Sequence, residues 1–533
     1  MPLSSPQPMR PAVEGDPSGP AAAHPAAVDP AVTAVIVLAA GAGTRMRSAL
    51  PKVLHPLAGR PLVWHAVRAA AALAPHTLVA VLGHGREAVG AYLDGAGDEL
   101  PPVVRAVQAE QRGTGHAVAC ALTATGGLSG TVVVTYADVP LLRPETLGEL
   151  VRVHHDGGHA VTVLTAEVDD PTGYGRVIRD ADGTPAAIVE HKDADADQRA
   201  VREVNSGVYA FDGELLGEAL AALSTDNASG ELYLTDVLAG ARARGRRVGA
   251  VRASDPVETE GVNDRVQLAE MAARLNARLV RELQLGGVTV LDPRTTWVHA
   301  GVRVGADTVL LPGTSLEAGT VIGSGCTIGP DTTLSACRVE DGASVVRSHA
   351  SGAVVGPGAA VGPFSFLRPG TELGADSKVG AYVEVKGSIL GEGAKVPHLS
   401  YVGDAEIGPG SNIGAGTITA NYDGVRKSRT VVGRDAFVGT NSTLVAPVVV
   451  GPGSYVAAGS TVTADVPAGD LAVARQRQRM VRGWVLRRRP GTPTERAALA
   501  AGAGAPADGR DADGAPVSSP GTPAPTAEGD LTA

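Results

Sequence analysis

Cysteine and aromatic residues are scarce in this chain of 533 residues. The three cysteines, Cys120, Cys326 and Cys337, form no CxxC pair. Their wide spacing suggests neither a disulfide framework nor a cysteine zinc site, and a reducing, cytoplasmic setting fits best. Aromatic residues make up only 3% of the chain, whereas glycine occurs 69 times. That bias indicates a repetitive fold with tight turns and small aliphatic layers over part of the chain.

The chain also lacks long apolar runs, and its folded part lacks long basic runs. No run approaches the roughly 20 apolar residues that a membrane helix needs, so no membrane insertion is expected. Residues 31–40 are apolar, but they lead into a glycine loop and have only Arg10 upstream as a cation. They therefore predict a buried strand rather than a signal peptide. The net charge of -10 disfavours nucleic acid as a partner.

Changes in composition and periodicity divide the chain into six segments. Its length exceeds what one hydrophobic core usually supports, so two or three domains with tails are expected. The predicted order is a disordered arm at 1–30, an α/β domain at 31–262, a linker helix at 263–285, a β-helix at 286–475, a basic segment at 476–489 and a disordered tail at 490–533.

The α/β domain is predicted from near-continuous β-branched runs that alternate with helical patterns. Strands buried on both faces are expected at residues 34–41, 77–85 and 131–138. Residues 61–73 suit a crossover helix, which predicts a doubly wound parallel sheet. Ligands of such sheets lie beyond the carboxyl ends of the strands, where Gly41, Gly83 and Asp138 are expected.

The β-helix is predicted from aliphatic residues that recur every six positions. A short strand and turn of six residues, three to a coil, is typical of hexapeptide repeats. Phase breaks near residues 386–431 indicate loops on one face, which in solenoids is often the binding face. The repeat comprises Val304, Leu310, Leu316, Ile322, Ile328 and Leu334; Val355, Val361, Leu367, Leu373, Val379 and Val385; and Val432, Val438, Leu444, Val450, Val456 and Val462.

The loop "LAAGAGTRM" (residues 38–46) follows the first predicted strand. The dinucleotide fingerprint G-x-G-x-x-G would place glycine at Met46, but this loop ends in Arg45 and Met46. Lys52 follows seven residues after Arg45. Two cations close to a glycine loop suit a nucleoside triphosphate, because its transition state spreads charge over the α-phosphoryl oxygens.

Several motifs resemble those of the bifunctional N-acetylglucosamine-1-phosphate uridylyltransferase/glucosamine-1-phosphate N-acetyltransferase family. The resemblance covers roughly residues 33–485 and implies an α/β Rossmann-like nucleotidyltransferase domain followed by a left-handed parallel β-helix. It also implies acetyl transfer from acetyl-CoA to glucosamine 1-phosphate, then uridylyl transfer from UTP to N-acetylglucosamine 1-phosphate with release of pyrophosphate. The motifs are "LAAGAGTRM…LPKVLH", "QAEQRGTGHAV" (108–118), "DDPTGYGRV" (169–177), "IVEHKD" (188–193), "EVNSGVY" (203–209) and "EGVNDR" (260–265).

For uridylyl transfer, the resemblance implies Arg45 and Lys52 as catalytic cations and Asp138 and Asn263 as Mg²⁺ ligands. Mg²⁺ prefers one or two protein oxygens together with phosphates and waters. Asp138 could instead cap a turn, and Asn263 could cap the following helix. Ala137 stands where the family usually has glycine, so its methyl group is expected near the base or ribose. The implied UTP and sugar-nucleotide ligands are Leu38, Ala39, Ala40, Gly41, Lys52, Gln108, Gly113, Thr114, Tyr136, Ala137, Asp138, Gly175, Glu190, Asn205 and Asn263.

For acetyl transfer, the resemblance implies His398 as the base that removes the amine proton. Glu384 is a candidate to orient His398. Trp484, in the arginine-rich segment 475–489, belongs either to a solvated tail or to a flap on CoA. The glucosamine 1-phosphate ligands would be Arg368, Lys386, Tyr401 and Asn412. The acetyl-CoA ligands would be Ala415, Asn421, Tyr422, Thr440, Ala458 and Arg475, with Thr440 in place of the family serine.

Two other functions are compatible with parts of the sequence. A single-activity sugar-1-phosphate nucleotidyltransferase could use the β-helix only as an oligomerisation scaffold, but a scaffold has no use for the charged cluster around His398. The second alternative is a dinucleotide-dependent oxidoreductase. The loop of this chain lacks the third glycine of the dinucleotide fingerprint, and such a function would not explain the solenoid. The flat aliphatic sides of the predicted coil, together with the family resemblance, suggest a homotrimer.

Overall fold

The computed structural model describes residues 32–504. They form two compact units that divide between Gly403 and Asp404. The predicted disordered arm at 1–30 and residues 505–533 of the predicted tail lie outside the described residues. The three cysteines are free thiols. Within residues 32–504, no helix combines the length and apolar character required to cross a membrane.

The first unit begins with an α/β region that ends in a long helix. Four short 3₁₀ turns interrupt it at Thr44–Met46, Lys52–Leu54, Gly97–Glu99 and Pro256–Thr259. Its strands and helices, in chain order, are β1 (Val32–Ala39), β2 (Pro56–Leu57), β3 (Arg60–Pro61), α1 (Leu62–Ala71), β4 (Thr77–Leu82), α2 (Arg86–Gly95), β5 (Val104–Val107), α3 (Thr114–Thr125), β6 (Thr131–Tyr136), α4 (Pro144–Asp156), β7 (Val161–Glu167), β8 (Arg176–Arg179), β9 (Pro185–Val189), α5 (Ala196–Ala200), β10 (Glu203–Asp212), α6 (Gly213–Ala221), α7 (Asp236–Ala243), β11 (Val248–Arg252) and α8 (Arg265–Leu285).

The main sheet is mixed rather than wholly parallel. Its strand order is β11-β7-β10-β6-β1-β4-β5, with β8 and β9 attached beside β10. Strand β1 is parallel to β4 and β6, as predicted, but β10 is antiparallel to β6 and β7. The prediction of a parallel sheet is therefore wrong at β10, because a run of buried residues reports burial and not strand direction. Gly41, Gly83 and Asp138 do follow the carboxyl ends of β1, β4 and β6.

The sheet is buried on both faces, as the β-branched runs predict. Val35 and Val37 of β1 belong to one apolar cluster with Val63 and Val67 of α1. The alternate residues of β1, such as Ile36, belong to a second cluster with residues of α3. Because successive strand residues point to opposite faces, helices on both sides require a continuous apolar run.

Helix α8 joins the α/β region to the first strands of the coil. Its Met271 and Leu275 pack in a small cluster with Met46, Leu57 and Leu62. Near the middle of the helix, the buried Asn276 donates from Nδ2 to the Thr296 carbonyl at 2.8 Å and accepts from the Val298 amide at 2.8 Å. A buried amide with both ends paired fixes the helix against the coil at little desolvation cost.

The rest of the first unit is a parallel β-helix with three sides. Each side is a stack of short parallel strands. The first side contains Thr289–Val290, Val309–Leu310, Thr327–Ile328, Ser344–Val345, Ala360–Val361, Lys378–Ala381 and Lys395–His398. The second contains Trp297–Val298, Ser315–Leu316, Thr333–Ser335, His349–Ser351, Phe366–Leu367, Glu384–Lys386 and Tyr401–Gly403. The third contains Arg303–Val304, Val321–Ile322, Arg338–Val339, Val354–Val355, Glu372–Leu373 and Ile389–Leu390.

The repeat aliphatics fill the coil interior as predicted, except that Val304 is only half-buried. A buried hydroxyl residue often stands two positions before the aliphatic. Thr314, for example, donates to the Leu311 carbonyl at 2.7 Å, and Thr371 donates to the Val385 carbonyl at 3.1 Å. These bonds satisfy polar atoms that would otherwise be costly to bury.

The second unit repeats the same coil. Its strands form three parallel stacks, which are Ala405–Ile407, Thr430–Val432 and Val448–Val450; Asn412–Ile413, Phe437–Val438, Tyr455–Val456 and Leu471–Ala472; and Ile418–Ala420, Thr443–Val445 and Thr461–Val462. Two short helices follow, α9 (Trp484–Arg488) and α10 (Pro493–Ala500).

Helix α10 corrects the prediction that the chain is disordered from residue 490. Thr492 is its N-cap and accepts from the Glu495 amide at 3.3 Å, and Pro493 occupies the first turn. These two residues are a helix-start signal that the Pro- and Ala-rich composition concealed.

His154 on α4 makes the stability of the α/β region sensitive to acid. The residue is 4% exposed, and its Nδ1 lies 3.0 Å from Thr162 Oγ1. Burial first, and the charge of His159 second, lower the pKa of His154 to about 4. The folded state therefore favours the neutral ring. The resulting stability is complete above the unfolded pKa near 6.5 and is lost as the pH falls towards about 4, by up to about 3 kcal/mol.

We expect a His154→Gln variant to lose less thermal stability than the wild type when the pH is lowered from 7 to 5. The unfolding temperature of both proteins would be compared at the two pH values. His76→Gln is the matched control, because His76 is exposed and is not among the groups whose charge acts on His154. An equal decrease for wild type and His154→Gln would contradict the prediction.

Candidate functional site

A cleft of about 270 Å³ opens at the carboxyl ends of β1 and β6. Ten of the residues predicted to bind UTP line it: Leu38, Ala39, Ala40, Gly41, Lys52, Gln108, Gly113, Thr114, Tyr136 and Asp138. They come from β1, β6, the start of α3 and the loops between them. The sheet edge thus brings together side chains that are up to a hundred positions apart in sequence.

Glycines shape the walls of this cleft. A Cβ at Gly41 would meet no protein atom within 4 Å, so the absent side chain leaves open space beside the cleft. Gly113 is required by its backbone, because its φ is +103° and a Cβ would lie 2.6 Å from the Leu232 carbonyl oxygen. Gln108 Nε2 donates to the Gly113 carbonyl at 3.0 Å and so holds this turn at the start of α3.

Lys52, Asp138 and Asn263 meet at one end of the cleft. The Lys52 ammonium is ion-paired with the Asp138 carboxylate, and it donates to Asn263 Oδ1 at 3.4 Å. Asn263 does not cap α8, because Asp264 does so by accepting from the Val266 and Gln267 amides. The Asn263 amide group is therefore available for another role.

A second group of predicted residues gathers beside Tyr136. A Cβ at Gly175 would lie 3.2 Å from Glu190 Oε1, and the Asn205 amide donates to the Gly175 carbonyl at 2.8 Å. Burial first, and the charges of nearby aspartates second, raise the pKa of Glu190. Burial, followed by the charges of Asp138 and Glu190, raises the pKa of Tyr136. Tyr136 therefore lines the cleft and is near enough to Glu190 for the carboxylate charge to act on its phenol.

Two predicted residues have different surroundings from the others. Ala137 is fully buried and belongs to the apolar cluster of β1 and α1, so its methyl group does not line the cleft as expected. Its amide donates to the Leu38 carbonyl at 2.9 Å. Arg45 is exposed in the 3₁₀ turn after the glycine loop and is not among the residues that line the cleft.

Four lining residues of the cleft were not predicted from the sequence: the apolar Val53 and Ala117, and the polar Gln111 and Glu231. Gln111 Nε2 donates to the Ala40 carbonyl at 2.7 Å and so fixes the start of the glycine loop. Gln111 lies within a quoted motif, which was a usable signal. Glu231 follows a loop more than a hundred residues later, and no local pattern marks it.

Five residues predicted for acetyl transfer lie in the last coils of the first unit. Arg368, Glu384 and Tyr401 belong to neighbouring rungs of the second side, and Lys386 lies in the same strand as Glu384. Glu384 Oε1 accepts from Arg368 Nη1 at 2.9 Å, so its described partner is Arg368 and not His398. The exposed His398 ends a strand of the first side, three residues before Tyr401.

The other residues predicted for acetyl transfer lie in the second unit. Ala415, Thr440 and Ala458 each follow the interior aliphatic of successive rungs by two residues, so they form one column. Asn421 Nδ2 donates to Asp404 Oδ2 at 2.5 Å, and Asn412 begins the strand that precedes Ala415. Tyr422 and Arg475 are exposed.

The arginine-rich segment contains Trp484 at the start of α9. Its ring is 45% exposed, and the Arg489 guanidinium lies over it at 5.3 Å. One face of the Trp484 indole is thus covered by a cation–π contact with Arg489.

Comparisons with known proteins agree with this architecture. Residues 35–207 match the model of the MobA-like NTP transferase domain, and residues 429–464 match that of the bacterial transferase hexapeptide (six repeats). The bifunctional protein GlmU of Corynebacterium efficiens is 52% identical over 88% of this chain and 97% of its own length. The proteins of the same name from Kineococcus radiotolerans and Streptomyces coelicolor are 56% and 55% identical over 88% and 90% of this chain, and over 95% and 98% of their own lengths.

An NTP transferase domain followed by a left-handed hexapeptide coil places the chain among the nucleotidyltransferases that carry a hexapeptide-repeat domain. Within this class, the chain belongs to the family of the bifunctional protein GlmU. This membership confirms the predicted pair of activities, uridylyl transfer and acetyl transfer in UDP-N-acetylglucosamine biosynthesis, with nucleotide and acetyl-CoA substrates.

Proposed function

We propose that uridylyl transfer takes place in the cleft of the first unit. The observation that carries this assignment is the set of ten predicted residues on its wall, with the Lys52–Asp138 ion pair at one end. The uracil and ribose would lie against Leu38–Gly41, Gln108 and the start of α3. The sugar of N-acetylglucosamine 1-phosphate would lie beyond Tyr136, against Gly175, Glu190 and Asn205.

The reaction proposed for this cleft is an in-line displacement. A phosphate oxygen of N-acetylglucosamine 1-phosphate attacks the α-phosphorus of UTP, a new P–O bond forms, and the bond to pyrophosphate breaks. No protein nucleophile is required, because positioning and charge neutralisation supply the rate. Lys52 and Arg45 would stabilise the charge that develops on the α-phosphoryl oxygens and the leaving group.

Mg²⁺ is part of this proposal, and the residues present fit it. Asp138 offers a carboxylate oxygen and Asn263 an amide oxygen, and a single ammonium contacts both. Hard oxygen donors of this kind suit Mg²⁺, which takes its remaining ligands from phosphates and water. Among residues 32–504, no group of three His, Cys, Asp or Glu side chains could hold a metal. The ion would neutralise phosphate charge.

We propose that acetyl transfer takes place on the coil. His398 would remove a proton from the amine of glucosamine 1-phosphate as the nitrogen attacks the thioester carbon of acetyl-CoA. The C–N bond forms, the C–S bond breaks, and CoA leaves as a thiolate that takes up a proton. The sugar phosphate would be held by Arg368, Lys386, Tyr401 and Asn412. Acetyl-CoA would be held by Ala415, Asn421, Tyr422, Thr440, Ala458 and Arg475.

The assembly, location and domain limits are also proposals. A homotrimer is supported by the hexapeptide coil, which in this fold offers flat sides for association. A cytoplasmic setting is supported by the use of UTP and acetyl-CoA. The proposed limits are 31–262 for the uridylyltransferase, 263–285 for the linker and 286–475 for the acetyltransferase, and helix α8 occupies the linker.

An assay with glucosamine 1-phosphate, acetyl-CoA, UTP and Mg²⁺ tests the proposal. CoA and pyrophosphate are followed separately. Both products should be released. With glucosamine 1-phosphate as the sugar substrate, pyrophosphate release should require acetyl-CoA. With N-acetylglucosamine 1-phosphate in its place, pyrophosphate release should no longer require acetyl-CoA. Pyrophosphate release from N-acetylglucosamine 1-phosphate with no CoA release from the amine would favour the scaffold function of the coil.

A further inference from the structure

Lys52 contacts the same two oxygens that are proposed to hold the metal. Its ammonium is ion-paired with the Asp138 carboxylate and lies 3.4 Å from Asn263 Oδ1. The Lys52 and Asp138 side chains are only 11% and 19% exposed. The Lys52 ammonium thus neutralises the Asp138 carboxylate and donates to the neutral Asn263 amide oxygen, with little water around the ion pair.

The base of Lys52 is fixed, whereas its ammonium can change position. A Cβ at Gly43 would lie 2.5 Å from Lys52 Cβ, so the loop backbone packs directly against the start of the stem. Pro51 precedes Lys52 at the beginning of a 3₁₀ turn. Beyond this anchor, the stem has several rotatable bonds, so a change of side-chain rotamer can reposition the ammonium. Because Lys52 lines the cleft, a rotated ammonium stays inside the nucleotide site.

We propose that Lys52 and the divalent cation compete for Asp138 and Asn263. An ammonium and a dication at one pair of oxygens repel each other strongly where little water screens them. The metal then occupies its site fully only when a polyphosphate draws the ammonium away. Lys52 would thereby couple metal loading to nucleotide binding. This inference rests on the proposed metal site.

The test measures Mn²⁺ binding by electron paramagnetic resonance in the absence of nucleotide. The Lys52→Met variant removes the ammonium charge and keeps an unbranched side chain. It should bind Mn²⁺ more tightly by about tenfold or more, because the competing cation is gone. Lys52→Arg keeps a cation and should bind Mn²⁺ as weakly as the wild type. Equal affinities for wild type and Lys52→Met would overturn the competition.

Asp138→Asn in the wild-type and Lys52→Met backgrounds separates this inference from the proposed metal site. Loss of Mn²⁺ binding in the double variant would assign the ion to Asp138 and support the competition. If Asp138→Asn leaves Mn²⁺ binding unchanged in both backgrounds, the proposed metal site itself is wrong.

Thermal unfolding provides a second readout. Mn²⁺ should raise the unfolding temperature of Lys52→Met more than that of the wild type, and an equal rise would contradict the inference.

Discussion

Replacing His398 with alanine is expected to slow acetyl transfer about 10²- to 10⁴-fold, because a positioned general base contributes a factor of this size. Uridylyl transfer should keep its parental rate, since the cleft that carries it is formed by other residues. The measurements are CoA release with glucosamine 1-phosphate and pyrophosphate release with N-acetylglucosamine 1-phosphate, on one preparation.

His349→Ala is the matched control for this variant. His349 is an exposed histidine of the coil whose ring contacts Phe366 at 5.4 Å between centroids. Its loss should leave both activities intact. Acetyl transfer by His398→Ala at the wild-type rate would remove the general base from the mechanism.

Replacing Asp138 with asparagine is expected to slow uridylyl transfer about 10²- to 10³-fold. The change removes the carboxylate that pairs with Lys52 and that would hold Mg²⁺, and loss of one preorganised electrostatic group typically has an effect of this size. Acetyl transfer should be unchanged. The rate of pyrophosphate release at saturating UTP and Mg²⁺ is the measurement.

Asp94→Asn serves as the control for Asp138→Asn. The Asp94 side chain is 61% exposed and forms an ion pair with Arg105 on the surface. Its removal should cost neither activity. A wild-type uridylyl transfer rate for Asp138→Asn would show that the Lys52–Asp138 end of the cleft takes no part in the reaction.

Local patterns in the sequence predicted the features that depend on neighbouring residues. The glycine loop with Arg45 and Lys52 indicated a phosphate site because charge and glycine spacing are visible without a structure. The six-residue period predicted the coil for the same reason, since each interior aliphatic occupies an equivalent position in its rung. The named family then extended these patterns to distant residues such as Asn205 and Asn263.

Features that depend on distant partners could not be predicted in this way. Strand β10 is antiparallel because of the chain path, which a run of buried residues does not encode. Glu384 pairs with Arg368 because neighbouring rungs align them 16 residues apart, whereas the cluster of charges suggested His398 as its partner. Ala137 packs into the core, and only the three-dimensional fold shows that its methyl group lies away from the cleft.

One chain should carry two active sites that work independently of each other. A mixture of the His398→Ala and Asp138→Asn variants is a direct test, with glucosamine 1-phosphate, acetyl-CoA and UTP as the only substrates and Mg²⁺ present. Each variant alone should form almost no UDP-N-acetylglucosamine, and the mixture should form it readily, because N-acetylglucosamine 1-phosphate released by one variant is used by the other. A mixture as inactive as its components, with either variant deficient in both half-reactions, would show that the two sites do not work independently.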